Sequence, residues 1–149
     1  MENRIPLTVK DKIRVVSLIS CEKLRIRMRP ISFVVDTGSS ESYLSLIDIS
    51  KLQISLGHRE ATGKIKFGGS TYNTIPLPKF TFYILKEDKS LLKKQDITLF
   101  ALQPITTSPT KLQFSQTLPS ILGLDFLRNQ KMSLHVILTE DMAYLQYED

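Results

Sequence analysis

The feature that most constrains this chain is a short acidic loop that directly follows an apolar run in the sequence. Residues 31–35 form the run, and Asp36, Thr37, Gly38 and Ser39 follow it. A carboxyl group at the end of a buried strand is costly to desolvate and useful for general acid/base chemistry. The same residue types are ordinary in turns, and an Asp-Thr-Gly triplet occurs by chance in roughly a few per cent of chains this long. The triplet alone therefore fits a catalytic loop or a polar turn.

A second segment has the pattern that a backbone packed closely behind such a loop requires. Ile121 and Leu122 are apolar, Gly123 has no side chain, and Asp125 opens a short helical pattern. A glycine between a strand and a helix allows another backbone to approach closely. The two segments together make a catalytic interpretation more specific than either does alone.

With these two motifs, the chain resembles the retroviral-type (retropepsin-like) aspartic proteases and is most similar to their cellular and prokaryotic branch. Their active-site loop is Asp-Thr/Ser-Gly-Ala/Ser, and their later element is two apolar residues and a glycine, with Asn or Asp soon after. The resemblance covers about residues 31–138. It implies a mostly β fold, a closed acid-protease barrel with one or two short helices, in a single domain spanning residues 1–149. Residues 1–11 would be a flexible arm or a dimer contact, and no cofactor is implied.

The resemblance also implies a role for each motif residue. Asp36 would be the catalytic acid, with one Asp36 from each of two subunits activating a water. Thr37 would hydrogen-bond across the dimer, Gly38 would let the backbone approach the carboxylates, and Ser39 would support the loop. Asp125 would cap the following helix. Three residues would pack behind the loop: Ile121, Leu122 and Gly123.

The length of the chain indicates how many copies an aspartic protease active site would need. At 149 residues with 42% hydrophobic residues, the chain fits one compact domain and is too short for two. Pepsin-like enzymes resemble two fused halves with one catalytic triplet each, whereas this chain has a single Asp-Thr-Gly. An aspartic protease built from it would therefore be a homodimer that binds an extended peptide or protein substrate.

One pair of residues departs from the retroviral pattern. Viral enzymes usually carry an acid two residues beyond the catalytic glycine and an arginine after the later glycine, and the two form an ion pair. This chain has Ser40 and Leu124 at those positions. Because both charges are missing together, no buried charge is left unpaired.

A hairpin is predicted between the two motifs. Gly63, Gly68 and Gly69 lie among alternating polar and apolar residues that include Phe67. A glycine pair between two strand-like runs indicates a tight turn, because such turns need positive φ. By resemblance this hairpin would be the flap that closes over substrate. From the sequence alone an ordinary surface hairpin fits equally well, and the tip could also fall at Gly63.

Local patterns predict the remaining elements. Residues 86–96 are polar and indicate a solvated loop or a helical turn, and residues 103–119 indicate a long loop, either a wall of the substrate groove or a dimer contact. Pro30 is expected to break the chain between two strands, and Ser45 with Asp48 has the spacing of a helix N-terminus. Strands are predicted at residues 12–20, 23–29, 31–35, 42–44, 64–67, 70–75, 80–85, 97–102, 132–138 and 142–147, and helices at 45–52 and 125–130.

The net charge of +5 comes from the first thirty residues, which hold eight basic residues against three acidic ones. Arg25, Arg27 and Arg29 alternate with apolar residues, which favours a strand with one solvated face. Two other functions stay open. The leading alternative to a peptidase is an inactive domain of the same fold that dimerises or binds peptides, and the weaker one is a basic nucleic-acid-binding protein.

The cysteine and histidine content argues against an internal disulfide and against a metal site. Cys21 is the single cysteine; it cannot form an internal disulfide, suits a reducing compartment, and is expected to be buried or half-buried rather than a nucleophile. His58 and His135 lie far apart without other ligands at metal-binding spacing, so no metal site is expected. Charges interrupt the first twenty residues, and no run is long enough to span a bilayer. The sequence therefore predicts a soluble, cytoplasmic protein that does not contact membranes.

Overall fold

The computed structural model describes residues 3–105 and 108–148. In that part of the chain, the polypeptide forms twelve strands, three short α-helices and one 3-10 turn at Leu138–Glu140. The strands are β1 Arg4–Val9, β2 Ile13–Cys21, β3 Ile26–Val35, β4 Tyr43–Leu44, β5 Gly63–Phe67, β6 Ser70–Pro76, β7 Phe80–Leu85, β8 Leu91–Ile97, β9 Phe100–Pro104, β10 Ser120–Leu122, β11 Met132–Ile137 and β12 Met142–Tyr147, and the helices are α1 Leu46–Lys51, α2 Pro109–Ser115 and α3 Leu124–Asn129.

The strands form one continuous hydrogen-bonded network. Its order is β11-β12-β1-β2-β3-β10-β4-β9-β6-β5, with β7 attached to β2 and β8 attached to β7. Most neighbours are antiparallel, but β3 pairs with β10, and β4 with β9, in parallel. The mostly β fold class is thus confirmed. The path does not close on itself among the described residues, so the expected closed barrel is an open sheet here.

The core sits under β2, β3 and β7, and it fixes the direction of the strand that leads to Asp36. Alternate residues of β2 face inward and are buried, as are Ile31, Phe33 and Val35 of β3. The Phe33 ring stacks on the Phe82 ring at a centroid distance of 5.3 Å. Burying one such side chain is worth about 1.5–3 kcal/mol, so a register slip of β3 would be expensive.

Strand β3 is longer than expected, because Pro30 does not break it. Pro30 pairs with Leu18 of β2, whereas β10 contacts β3 only from Phe33 onward. Among the described residues the other edge of β3 has no partner strand at Pro30, so a residue without an N–H is tolerated there. The strand begins at Ile26 rather than at residue 23, since residues 22–25 form a turn in which Arg25 has φ 56°.

Two predicted loops contain regular structure instead. The prediction for residues 86–96 is wrong from Leu91 onward, because β8 pairs antiparallel with β7 there. The lysines of β8 lie in a strand of which one face is only half-buried. The sequence of β8 therefore lacks the clear alternation of apolar and polar residues that predicts a strand. Within residues 103–119, β9 extends to Pro104 and helix α2 starts at Pro109 behind Ser108; residues 106 and 107 lie outside the described residues. The α-helices therefore number three in the described chain, not one or two.

The first residues are integrated into the sheet rather than separate from it. Strand β1 pairs with β12 along Arg4–Leu7 and with β2 at Thr8 and Val9. Residues 1 and 2, the start of the expected arm, lie outside the described residues. Cys21 is buried, as predicted.

Candidate active site

Asp36 lies at the point where the two sequence motifs meet. It directly follows β3, whose last residue, Val35, pairs with Leu122 at the end of the parallel strand β10. The Asp36 backbone N–H donates to the Leu122 carbonyl at 3.0 Å. Since the ends of parallel neighbours fall at one edge of a sheet, this pairing brings the second motif beside the acidic loop.

The Asp36 carboxylate is fixed by its own loop. The Gly38 N–H donates to Oδ1 at 2.8 Å, and the Ser39 N–H donates to the Asp36 carbonyl at 3.2 Å. A Cβ on Gly38 would lie 3.0 Å from Oδ1, so a side chain there would crowd the carboxylate. Asp36 is half-buried, Thr37 and Gly38 are exposed, and Ser39 is buried.

Gly123 supports this loop from behind by having no side chain. A Cβ at this position would lie 2.4 Å from the Glu41 carbonyl oxygen and 2.6 Å from that of Ser39. Real Cβ atoms do not approach so closely, and both neighbours are backbone, which yields less readily than a side chain. The φ of Gly123 is −103°, so the position requires space rather than a left-handed conformation.

Backbone hydrogen bonds join the two motifs where viral enzymes carry an ion pair. The Leu124 N–H donates to the Ser39 carbonyl at 2.8 Å, and the Asp125 N–H donates to the Ser40 carbonyl at 3.1 Å. Ser40 and Leu124, the positions of the missing charges, are thus held by main-chain groups. These two hydrogen bonds hold the Asp36 loop against the second motif.

Ser42 adds a buried side-chain link that sequence reasoning missed. Its hydroxyl donates to Asp125 Oδ1 at 2.6 Å and accepts from the Gly123 N–H at 2.9 Å, and its own N–H donates to Asp125 Oδ2 at 3.2 Å. Ser42 is fully buried. Asp125 is not the N-cap residue of α3, which is Gly123; it lies in the first turn, where its Oδ1 accepts from the Phe126 N–H at 2.7 Å, and it ties α3 to Ser42 just before β4. No local sequence signal marks a serine for this role.

Tyr43 connects the loop to the rest of the site. Burial, and after it the nearby Glu41 and Asp125 carboxylates, raise the pKa of Tyr43 to about 12. The raised pKa keeps the Tyr43 hydroxyl in its neutral form beside these two carboxylates. Its ring packs edge-on against Phe67 at a centroid distance of 5.8 Å, within a small cluster that includes Tyr72.

Strands β5 and β6 form the predicted hairpin, and Gly68 and Gly69 make its two-residue tip. Their φ values are 54° and 80°, which suits a turn that matches the strand twist. Gly63, the other possible tip, lies instead at the start of β5 opposite Thr74. The Phe67 ring reaches Tyr43, so the hairpin packs onto the strand that follows the Asp36 loop.

Helix α2 packs on this hairpin at its tip and its stem. The Phe114 ring lies so close to Gly68 that a Cβ there would be 2.4 Å from Cε1. Near the stem, the Tyr72 hydroxyl and the Ser115 hydroxyl share a buried hydrogen bond of 2.6 Å. The Ile105 N–H donates to the Thr71 carbonyl at 3.3 Å. The segment expected to be a loop thus braces the candidate flap.

Across residues 3–105 and 108–148, no three His, Cys, Asp or Glu side chains come together as metal ligands could. None of the helices in these ranges has the length and apolar character needed to cross a membrane.

Comparison with known proteins supports the fold that this geometry indicates. No protein-family model and no curated protein matches the sequence. Among solved structures, a retropepsin-like aspartic protease from Rickettsia conorii matches with a TM-score of 0.62 and 18% identity, covering 97% of this chain and 90% of that one. EIAV protease complexed with the inhibitor HBY-793 matches with a TM-score of 0.51 and 16% identity, covering 85% and 95%. This chain therefore has the retropepsin-like aspartic protease fold.

Proposed function

We propose that this protein is an aspartic endopeptidase that works as a homodimer, with Asp36 as the catalytic residue of each subunit. The observation that carries the proposal is the Asp36 loop. Its carboxylate is half-buried, one oxygen accepts from the Gly38 N–H, and the loop is braced by Gly123 and Leu124. A braced acid at a strand end, on a retropepsin-like fold, is the arrangement that water activation needs.

The chemistry follows from bringing two such carboxylates together. Two Asp36 side chains a few ångströms apart across a two-fold axis cannot both ionise, so the pair shares one proton. The ionised carboxylate takes a proton from a water, whose oxygen attacks the peptide carbonyl carbon, while the protonated partner gives its proton to the carbonyl oxygen. The carboxyl that took the water proton then gives it to the nitrogen, the other carboxylate takes a proton from one diol hydroxyl, and the C–N bond breaks to give an amine and a carboxylic acid, which restores the shared proton of the pair. No covalent enzyme intermediate forms.

Exposed surfaces of the chain are compatible with the dimer. Thr37 is exposed next to Asp36. In the role that the resemblance implies, its hydroxyl would contact Thr37 of the second subunit. Strand β11 ends the sheet order, and four apolar residues near its end are exposed: Val136, Ile137, Leu138 and Met142. An isologous contact could cover such an apolar edge.

The far end of the sheet offers a place for substrate. Strand β5, the other end of the sheet order, has one edge without a partner among the described residues. An extended peptide can add to such an edge as a further strand, with backbone hydrogen bonds giving affinity. In that arrangement β5, Phe67, Gly68 and Gly69 would act as the flap.

The replacement Asp36→Asn tests the proposal. Cleavage of a quenched fluorescent peptide mixture should fall by at least about 100-fold, because the amide cannot serve as acid or base. Analytical ultracentrifugation should still show the dimer. The matched control is Asp11→Asn, which makes the same change at an exposed position in the β1–β2 turn and should leave cleavage unchanged.

Retained cleavage by purified Asp36→Asn protein, or full activity of a strictly monomeric wild type, would refute the mechanism. A wild-type dimer that binds peptides without cleaving them would support the alternative of an inactive peptide-binding domain.

A further inference from the structure

A groove with a volume of about 420 Å³ lies on the outer face of β2 and β3. One wall is helix α1, and the other is residues 116–120, which lead into β10. The lining contains no residue of the Asp36 loop. The groove is therefore a separate surface from the candidate active site.

The floor of the groove exposes aliphatic side chains. Val16 of β2 is 58% exposed and Ile47 of α1 is 42% exposed, and Pro30, also exposed, lies in the same lining. Val16 is flanked by Val15 and Ser17, which are buried on the inner face. A strand with one solvated face normally places polar residues outward, so an exposed valine in the lining of a groove suits contact with an apolar group.

Positive charge surrounds this apolar floor. Arg14 and Lys51 line the groove, and the Arg29 guanidinium donates to the Lys51 carbonyl at 3.4 Å, which brings a third cation to the rim. Asp48 is the single carboxylate in the lining, and its Oδ2 accepts from the Ser120 hydroxyl at 2.5 Å. The groove thus has an excess of positive charge, which attracts an acidic partner.

We propose that this groove binds an acidic segment of another protein, in which an aliphatic side chain is flanked by Asp or Glu. The aliphatic group would rest on Val16 and Ile47, and the carboxylates would face Arg14 and Lys51. Single-stranded nucleic acid would also meet the charges, but the lining has no aromatic ring on which bases could stack. The inference does not depend on peptidase activity.

Fluorescence anisotropy with a labelled Glu-Glu-Leu-Glu-Ile-Glu peptide tests the proposal. The protein is the full chain carrying Asp36→Asn, so cleavage of the probe cannot confuse the result. Saturable binding is expected, and Lys51→Glu and Val16→Asp should each weaken it by about tenfold or more. The control Lys93→Glu reverses an exposed charge on β8 and should leave affinity unchanged. Circular dichroism checks that each variant is folded.

Two comparisons separate the contributions of charge and shape. A probe with lysine in place of each glutamate should bind the wild-type groove poorly and gain affinity for Lys51→Glu. A probe with glycine in place of Leu and Ile should lose affinity for the wild type and become insensitive to Val16→Asp. The proposal is overturned by absent binding at about 1 mM protein, or by equal affinity in wild type and Lys51→Glu. An oligothymidine that binds more tightly than the peptide, and depends on Lys51 but not Val16, would also overturn it.

Discussion

Replacing Gly123 with alanine tests how closely the second motif packs behind the Asp36 loop. The new Cβ would lie 2.4 Å from the Glu41 carbonyl oxygen and 2.6 Å from that of Ser39. Because carbon–oxygen contacts normally begin near about 3.3 Å, the Glu41 carbonyl must move away by about 0.9 Å and the Ser39 carbonyl by about 0.7 Å. The Leu124–Ser39 hydrogen bond, now 2.8 Å, would then stretch to about 3.5 Å, beyond the usual range of about 2.7–3.2 Å for an N–H···O bond.

The loss of stability in Gly123→Ala follows from these contacts. Overpacking contributes about 1–3 kcal/mol, and each lost internal hydrogen bond adds about 1 kcal/mol. We expect Gly123→Ala to lower the free energy of unfolding by about 3 kcal/mol, which corresponds to a midpoint lower by about 6–12 °C in a chain of this size. Cleavage should fall as well, since the loop that holds Asp36 must move.

Thermal unfolding followed by circular dichroism measures the effect, at one protein concentration because a dimer is more stable when concentrated. The control is Gly57→Ala. A Cβ at Gly57 would find its nearest neighbour, the Ser55 hydroxyl, at 3.9 Å. That variant should change stability by less than about 0.5 kcal/mol. If Gly123→Ala proved as stable as Gly57→Ala, the close packing described for this position would be refuted.

At the hairpin tip, Gly69→Ala should cost about 1 kcal/mol for its positive φ alone, and Gly68→Ala should cost more because its Cβ meets the Phe114 ring. Urea unfolding measures the two losses of stability, which should become equal in a Phe114→Ala background. A difference that persists in that background would contradict the close approach of Gly68 to the Phe114 ring. For Tyr43, burial raises the pKa from 10.0 to about 12. The neutral phenol thus contributes up to about 3 kcal/mol, fully present below pH 10 and lost as pH rises toward 12. The free energy of unfolding, measured between pH 10 and pH 12, should depend less on pH in Tyr43→Phe than in the wild type. An unchanged pH dependence would be evidence against this contribution of Tyr43.

Elements that depend on neighbouring residues could be predicted from sequence. The glycine pair at Gly68 and Gly69 predicted a hairpin, which forms with positive φ at both residues. Ser45 predicted the start of α1, and its hydroxyl accepts from the Asp48 N–H at 3.1 Å. In both cases one turn of chain contains the whole cause, so the pattern is sufficient.

Elements that depend on distant partners were missed. Strand β8 has a lysine-rich sequence and becomes a strand because β7 lies beside it. Helix α2 lacks a side-chain cap bond and is tied down through Ser115, which bonds to Tyr72 far away in sequence. Ser42 resembles any other serine until Gly123 and Asp125 are placed against it. Tertiary contacts override weak local preferences at such positions.

The sequence by itself determined that an acid follows an apolar strand and that a glycine follows a second apolar pair, because each pattern extends over only a few residues. The tertiary structure decided that these segments touch, through the parallel pairing of β3 with β10. It also decided that Val16 and Ile47 share one exposed groove. Such juxtapositions arise from which strands become neighbours, and that choice depends on burial across the whole sheet rather than on local pattern.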